Sequence, residues 1–111
     1  MHILIVEDDN MQRKMLEALL YRNFEYKAHE AANGRDALKI LNSEKGAEIK
    51  LIIMDLNMPV MSGMDMLEIL QQSHPSIPVI VLTGNTDIKL AVKAMKLGAI
   101  DFINKPLTWR E

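Results

Sequence analysis

The chain has 111 residues, of which 49% are hydrophobic and 25% charged, and its formal net charge is −2 at pH 7. This balance indicates a single globular domain, excludes a disordered or fibrous protein, and offers no basic surface to nucleic-acid phosphates. The absence of cysteine excludes disulfides and thiolate metal sites. The apolar runs are too short to cross a bilayer and no secretory signal is present, so we expect a cytoplasmic protein without membrane contact or direct nucleic-acid binding.

Four short runs rich in branched aliphatic residues recur along the chain at fairly even spacing. They are 3–6 (ILIV), 51–54 (LIIM), 79–82 (VIVL) and, more weakly, 100–103 (IDFI). The first three have the continuous apolar character of strands that are buried on both faces, as in a parallel sheet. A more polar strand is predicted around residues 25–30, between the first and second predicted helices, and it completes a set of five strands.

The segments between these runs have apolar residues at helical spacing. The predicted stripes are Met11, Met15, Leu16, Leu19 and Leu20; Ala37, Leu38, Ile40 and Leu41; Met66, Leu67, Ile69 and Leu70; and Ile88, Ala91, Ala94 and Met95. Gly98 is predicted to cap the end of the fourth helix. The four methionines on these stripes are most simply interpreted as core residues.

Strand and helix therefore alternate five times along the chain. This order predicts an α/β fold, a doubly wound parallel sheet of five strands with right-handed crossovers and helices on both faces. Thr108 and Glu111 have the spacing of a capping box, which indicates the start of another helix. We expect residues 1–111 to form one domain, a fragment that ends at the start of a truncated fifth helix.

Polar side chains follow the predicted strands at their carboxyl ends, where open α/β sheets bind ligands. Carboxylates that meet there would repel one another in a partly dry cleft, so they indicate a divalent cation, and oxygen ligands suit Mg²⁺. Asp55 is then a candidate nucleophile that forms an aspartyl phosphate, with Thr83 and Lys105 to bind the phosphoryl oxygens. The full set is Glu7, Asp8 and Asp9; Asp55; Thr83 and Gly84; and Asn104, Lys105 and Pro106.

Each of these features has a purely structural explanation when it is considered alone. Asp8, Asp9 and Asn10 would cap the following helix, and a single aspartate at a strand end usually belongs to a turn. The joint occurrence of all these residues at the carboxyl ends of predicted strands favours a functional site. The histidines at 2, 29 and 74 have no partner at metal-ligand spacing, and we assign them no function.

Four blocks of the sequence resemble the signature blocks of response-regulator receiver domains, in the same order and at matching separations. They are 3–9 (ILIVEDD), 54–63 (MDLNMPVMSG), 81–84 (VLTG) and 94–107 (AMKLGAIDFINKPL). The resemblance covers the whole chain and implies the flavodoxin-like strand order 2-1-3-4-5. Two departures are small, because Glu7 stands where aspartate is commoner and Phe102 lacks the hydroxyl of the tyrosine often found there.

The resemblance also implies a role for particular residues. Asp8 would bind Mg²⁺ directly and Glu7 through water, while Asp9 falls just outside this acidic pair. The implied set is Glu7, Asp8, Asp55 and the backbone carbonyl of Asn57 as metal ligands, Asp55 as phosphoacceptor, Thr83 and Lys105 as the phosphoryl-binding pair, and Thr83 with Phe102 as the switch.

The implied function is a phosphorylation-dependent signalling switch that changes its surface around the fourth helix and fifth strand. It would accept the phosphoryl group from a sensor histidine kinase or a phosphotransfer protein, and would catalyse only its own phosphorylation and dephosphorylation. The resemblance further implies an output domain that is missing from this chain and favours a role in transcription control. It is also compatible with a homodimer.

Three alternative functions fit the sequence less well. A phosphatase of the haloacid dehalogenase type needs an acid two residues after the nucleophile, where this sequence has Asn57. A flavin- or nucleotide-binding module would need glycines in the first strand-to-helix turn, which here carries three acids. A receiver-like interaction module that is never phosphorylated would have lost the acids or the lysine, and all of them are present.

Overall fold

The computed structural model describes residues 1–24, 26–58, 60–84 and 88–104. It contains a five-stranded parallel sheet of order β2-β1-β3-β4-β5, so the predicted fold and strand order are confirmed. The strands are β1 His2–Val6, β2 Lys27–Ala31, β3 Ile49–Asp55, β4 Val79–Thr83 and β5 Asp101–Asn104. The helices are α1 Asn10–Phe24, α2 Gly34–Leu41, α3 Gly63–Ser73 and α4 Ile88–Lys96, with a 3₁₀ helix at Glu44–Glu48 that the sequence patterns did not predict.

The three central strands are buried on both faces, as their continuous apolar character predicted. The larger core lies between one face of the sheet and helices α2, α3 and α4, where Ala37, Leu67 and Ala94 are fully buried. The smaller core lies on the other face, where Leu16 and Leu20 of α1 pack against residues such as Ile3, Ile5 and Leu82. Among the described residues, three helices therefore cover one face of the sheet and one helix covers the other.

Strand register brings the carboxyl ends of the strands together. Val6 of β1 is the register partner of Met54 of β3, which places the residues that follow them, Glu7 and Asp55, side by side. Asp55 is in turn the partner of Leu82 of β4, one residue before Thr83. Parallel pairing alone therefore assembles the polar residues from three strands at one edge.

Gly98 ends α4 as predicted. Its φ of +112° lies in the left-handed region, which glycine adopts without the steric cost of a Cβ. The amide of Ala99 donates to the Ala94 carbonyl at 3.0 Å and that of Gly98 to the Met95 carbonyl at 3.1 Å, the bond pattern of a Schellman motif. This turn directs the chain from α4 into β5.

The core assignment of the methionines was wrong for three of the four. Met66 is fully buried, but Met11, Met15 and Met95 are 75%, 36% and 38% exposed. Successive residues on a helix are about 100° apart, so Met15 and Met95 lie beside the buried positions Leu16 and Ala94 rather than above the sheet. Periodicity located the apolar side of each helix but overestimated the width of the strip that contacts the sheet.

Other sequence predictions fall partly outside the described residues. The second strand begins at Lys27 rather than near residue 25, and Glu25 itself is outside the described part of the chain. The same holds for residues 105–111, which include Lys105 and the predicted start of a fifth helix. Within the described segments, no helix combines the length and the apolar character needed to cross a membrane.

Candidate metal and phosphoryl site

Three carboxylates meet at the carboxyl-terminal edge of the sheet. One oxygen from each of Glu7, Asp8 and Asp55 lies within 4.8 Å of the others. Glu7 is fully buried and Asp55 is only 4% exposed, whereas Asp8 is exposed. The convergence expected from the strand ends is therefore present, with two acids inside the protein and the third at its surface.

This cluster fits a hard divalent cation. Like charges at this separation repel one another, and a bound cation would offset the repulsion. All three side chains offer oxygen donors, the type that Mg²⁺ prefers, and the exposed Asp8 leaves an open side where water can complete the coordination. The donor chemistry and the spacing therefore both suit Mg²⁺.

The turn after β3 fixes the Asp55 side chain. The amide of Asn57 donates to Asp55 Oδ1 at 3.1 Å, and the amide of Gly63 donates to the Leu56 carbonyl at 2.9 Å, which closes the loop onto the strand end. A Cβ on Gly63 would lie 2.5 Å from the backbone oxygen of Asp55. Only glycine permits this close approach, which explains its place in the second sequence block.

Thr83 carries a polar atom whose burial is otherwise unexplained. The residue is 1% exposed, and among the described residues its Oγ1 has no hydrogen-bond partner. Burying an unsatisfied hydroxyl costs about 1–3 kcal/mol. Its position one residue past Leu82, the register partner of Asp55, places this hydroxyl at the same edge as the acid cluster. Such a group is suited to bind an incoming ligand oxygen.

The fifth strand supplies the remaining predicted residues. Thr83 is the register partner of Asn104, which precedes Lys105, a residue outside the described part of the chain. Phe102 lies two residues earlier in β5, as the partner of Val81, and it is 37% exposed. The aromatic ring is thus on the strand next to Thr83 and is accessible to solvent.

Asp9 has a structural role in the acidic turn after β1. Its Oδ1 accepts hydrogen bonds from the amides of Met11 at 2.9 Å and Gln12 at 3.1 Å, so it caps α1. The capping explanation therefore holds for Asp9, while Asp8 belongs to the carboxylate cluster. The three consecutive acids divide into two ligand candidates and one cap.

Arg13 is a residue of this region that sequence reasoning missed. Its Nη1 donates to the backbone carbonyl of Glu7 at 2.6 Å, and its Nε donates to the Glu30 carboxylate at 3.0 Å. Lys14 donates to the same carboxylate at 2.7 Å, and this hydrogen bond is the main reason why the pKa of Glu30 lies below its ordinary value. The two cations tie α1 to β2, and Arg13 also holds the Glu7 backbone, although no sequence motif predicts either role.

Comparison with known proteins identifies the family. The family model for the response regulator receiver domain matches residues 3–111. The DNA-binding transcriptional regulator NtrC of Proteus hauseri is 37% identical over 106 residues, which are 95% of this chain and 21% of that protein. The transcriptional regulatory protein FixJ of Rhizobium meliloti is 40% identical over 103 residues, 92% of this chain and 48% of that protein. The chain thus spans less than half the length of these relatives.

Solved structures agree with this relationship. A response regulator receiver domain protein from Clostridium thermocellum superposes with a TM-score of 0.87 at 33% identity, covering 96% of this chain and 83% of that one. The receiver domain of NtrX from Brucella abortus gives a TM-score of 0.87 at 28% identity, covering 96% and 87%. The haloacid dehalogenase alternative receives no support from these comparisons. The chain therefore belongs to the response regulator receiver domain family, the regulatory domains of two-component signalling.

Proposed function

We propose that Asp55 is the phosphoacceptor of this receiver domain and that Glu7, Asp8, Asp55 and the backbone carbonyl of Asn57 hold Mg²⁺. The observation that carries this proposal is the carboxylate cluster, two of whose three acids are buried, at the same strand edge as the buried hydroxyl of Thr83. The cluster offers a cation site and a nucleophile together, and the hydroxyl offers a donor for a phosphoryl oxygen.

The phosphoryl donor in this proposal is a phosphohistidine on a sensor histidine kinase or a phosphotransfer protein. A carboxylate oxygen of Asp55 attacks the phosphorus, the new P–O bond forms and the P–N bond breaks, and the histidine nitrogen keeps the electron pair and takes a proton. A bound Mg²⁺ supplies positive charge that stabilises the phosphoryl oxygens. Thr83 donates a hydrogen bond to one of these oxygens, and the Lys105 ammonium pairs with another. Hydrolysis of the acyl phosphate by water returns the carboxylate and releases inorganic phosphate.

The signalling step follows from the burial of Thr83. When its hydroxyl moves toward the phosphoryl group, the vacated space admits the Phe102 ring, which is 37% exposed before the change. The surface formed by α4 and β5 is thereby remodelled, as two packings of one element biased by a local charge. Since NtrC and FixJ are named as transcriptional regulators, we propose that this surface controls transcription through an output domain outside the 111 residues.

Intact-mass spectrometry after incubation with acetyl phosphate tests the acceptor. The wild type should gain one phosphoryl group when Mg²⁺ is present and none when EDTA is added. The matched variant Asp65→Asn, which removes an exposed acid from the first turn of α3, should be modified like the wild type. Asp55→Asn should gain no mass, and a phosphoryl group on that variant would refute the assignment.

A further inference from the structure

A second group of metal-binding side chains lies on the sheet away from the carboxylate cluster. His2 begins β1 and His29 lies in β2, and they meet across the strand pair although 27 positions separate them in sequence. The two rings lie edge to edge, with centroids 5.0 Å apart and planes 24° from parallel, and His2 Nδ1 lies 2.7 Å from His29 Nε2, the distance of an N–H···N hydrogen bond. Sequence spacing gave no sign of this pair, because strand register creates it.

Glu48 adds a carboxylate to the outer side of His2. Its Oε2 lies 3.3 Å from His2 Nε2, and the residue ends the 3₁₀ helix that leads into β3. With the Nε2 proton donated to Glu48, His2 Nδ1 accepts a hydrogen bond from His29 Nε2, and metal binding would shift the His29 proton to Nδ1. A carboxylate that holds the distal nitrogen of a histidine in this way is the usual outer partner of a metal-binding imidazole.

A metal ion would take the place of the hydrogen bond between the two rings. Two imidazole nitrogens bound to one Zn²⁺ at about 2.05 Å, with tetrahedral angles, are about 3.3 Å apart. The observed separation of 2.7 Å between His2 Nδ1 and His29 Nε2 would therefore widen by about 0.6 Å, and both rings would turn until their lone pairs point at the ion instead of at each other. The His2 side chain is 25% exposed, so an ion and its waters can reach the pair from solvent.

We propose that His2 Nδ1 and His29 Nε2 bind one divalent transition-metal ion of the Zn²⁺ type, with Glu48 orienting the His2 ring and water completing the coordination. Imidazole nitrogens favour Zn²⁺, Cu²⁺ and Ni²⁺ over Mg²⁺, so this site and the carboxylate cluster select different metals. The ion would join the edge strand β2 to β1. The proposal rests on the histidine pair and is independent of the phosphorylation site.

Isothermal titration with ZnCl₂ in a non-chelating buffer, with saturating Mg²⁺ to occupy the carboxylates, tests the site. The wild type should bind one Zn²⁺. His29→Gln and His2→Asn should lower the affinity at least tenfold, and Glu48→Gln should lower it severalfold. His74→Gln is the matched control, because the His74 ring contacts Ser73 instead of the pair, and it should bind like the wild type.

Ring-nitrogen NMR of the wild-type protein gives a second readout that does not depend on how the variants fold. Zn²⁺ should shift the resonances of His2 Nδ1 and His29 Nε2 and leave those of His74 unchanged. Failure of the wild type to bind Zn²⁺, equal affinity in His29→Gln, or shifts confined to His74 would each overturn the proposal. So would Zn²⁺ binding that survives both histidine substitutions and disappears in Asp8→Ala.

Discussion

The two clusters of potential ligands on this sheet differ in both chemistry and origin. The carboxyl-terminal edge gathers carboxylates from β1 and β3 and a buried hydroxyl from β4, whereas the β1–β2 pair brings together two imidazoles with a carboxylate behind them. The first cluster follows from topology, since every parallel strand ends at the same edge. The second follows from register, which decides which side chains meet across two neighbouring strands. One sheet can therefore present a hard-cation site and a softer one without sharing a ligand.

Removing one carboxylate gives the largest effect expected at the carboxyl-terminal edge. We predict that Asp8→Ala weakens Mg²⁺ binding at least tenfold, because the exposed member of the cluster is lost while the buried acids remain. Fluorescence or calorimetric titration with MgCl₂ measures the change. Zn²⁺ binding at the histidine pair should be unaffected, which keeps the two sites distinct.

The neighbouring acid provides the control. Asp9→Ala should leave Mg²⁺ affinity unchanged but lower the free energy of unfolding by about 1 kcal/mol, since the N-cap of α1 is lost. A drop in Mg²⁺ affinity as large as that of Asp8→Ala would show that the two acids share the metal site and that the division between ligand and cap is wrong.

The next effect concerns signal transmission from the same edge. Beryllofluoride, a phosphoryl mimic, should shift backbone amide resonances across residues 88–103 in the wild type. Thr83→Ala should lose most of these shifts, while Thr83→Ser, which keeps the hydroxyl, should retain them. If Thr83→Ala responds like the wild type, the hydroxyl does not couple the site to α4 and β5.

The contrast between the clusters also shows what a sequence can reveal. The strand order came from the family resemblance, and the convergence of Glu7 with Asp55 came from adjacent carboxyl ends, which hydrophobic runs locate well. The His2–His29 contact and the Arg13 bonds depend on register and side-chain rotamers, which periodicity does not contain. The exposed position of Met11 was missed for a related reason, because helical spacing does not say how closely a helix approaches its sheet.

Acid titration should affect two neighbouring groups of β2 in sequence, His29 of the histidine pair and the ion-paired Glu30. Burial lowers the pKa of His29 below its ordinary 6.5. The nearby His2, Lys45 and Lys27 lower this pKa further, while Glu48 acts in the opposite direction. The hydrogen bond from Lys14 lowers the pKa of Glu30 below its ordinary 4.5. The folded state therefore binds fewer protons than the unfolded state at each group. The free energy of unfolding should fall as pH drops through 6.5 and again through 4.5.

Urea unfolding in EDTA at pH values from about 3 to about 8, which bracket the ordinary pKa values of both groups, measures both steps. His29→Gln should remove the upper step and leave the lower one, whereas Lys14→Met should reduce the lower step only, because it deletes the main hydrogen bond to Glu30. An unchanged upper step in His29→Gln would assign it to another group.

The smallest expected effect concerns a backbone conformation in the loop between β3 and α3. Val60 has a φ of +71°, and it is the one non-glycine residue of the described chain in the left-handed region. A β-branched side chain there costs about 1–3 kcal/mol. The side chain is 68% exposed, so little packing would be lost on its removal.

We predict that Val60→Gly raises the free energy of unfolding by about 1 kcal/mol, since relief of strain exceeds the 0.5–1 kcal/mol or so that glycine adds in unfolded-state entropy. Val92→Gly in α4, at a valine that is 47% exposed, is the control and should lower it by about 1 kcal/mol, because glycine is a weaker helix former than valine and the buried half of the side chain loses its packing. Thermal melts of both variants and the wild type show whether each substitution raises or lowers the stability. If the two glycine substitutions destabilise the protein equally, the backbone at residue 60 is not strained, and the loop beside Asp55 stores no energy that the metal or the phosphoryl group must work against.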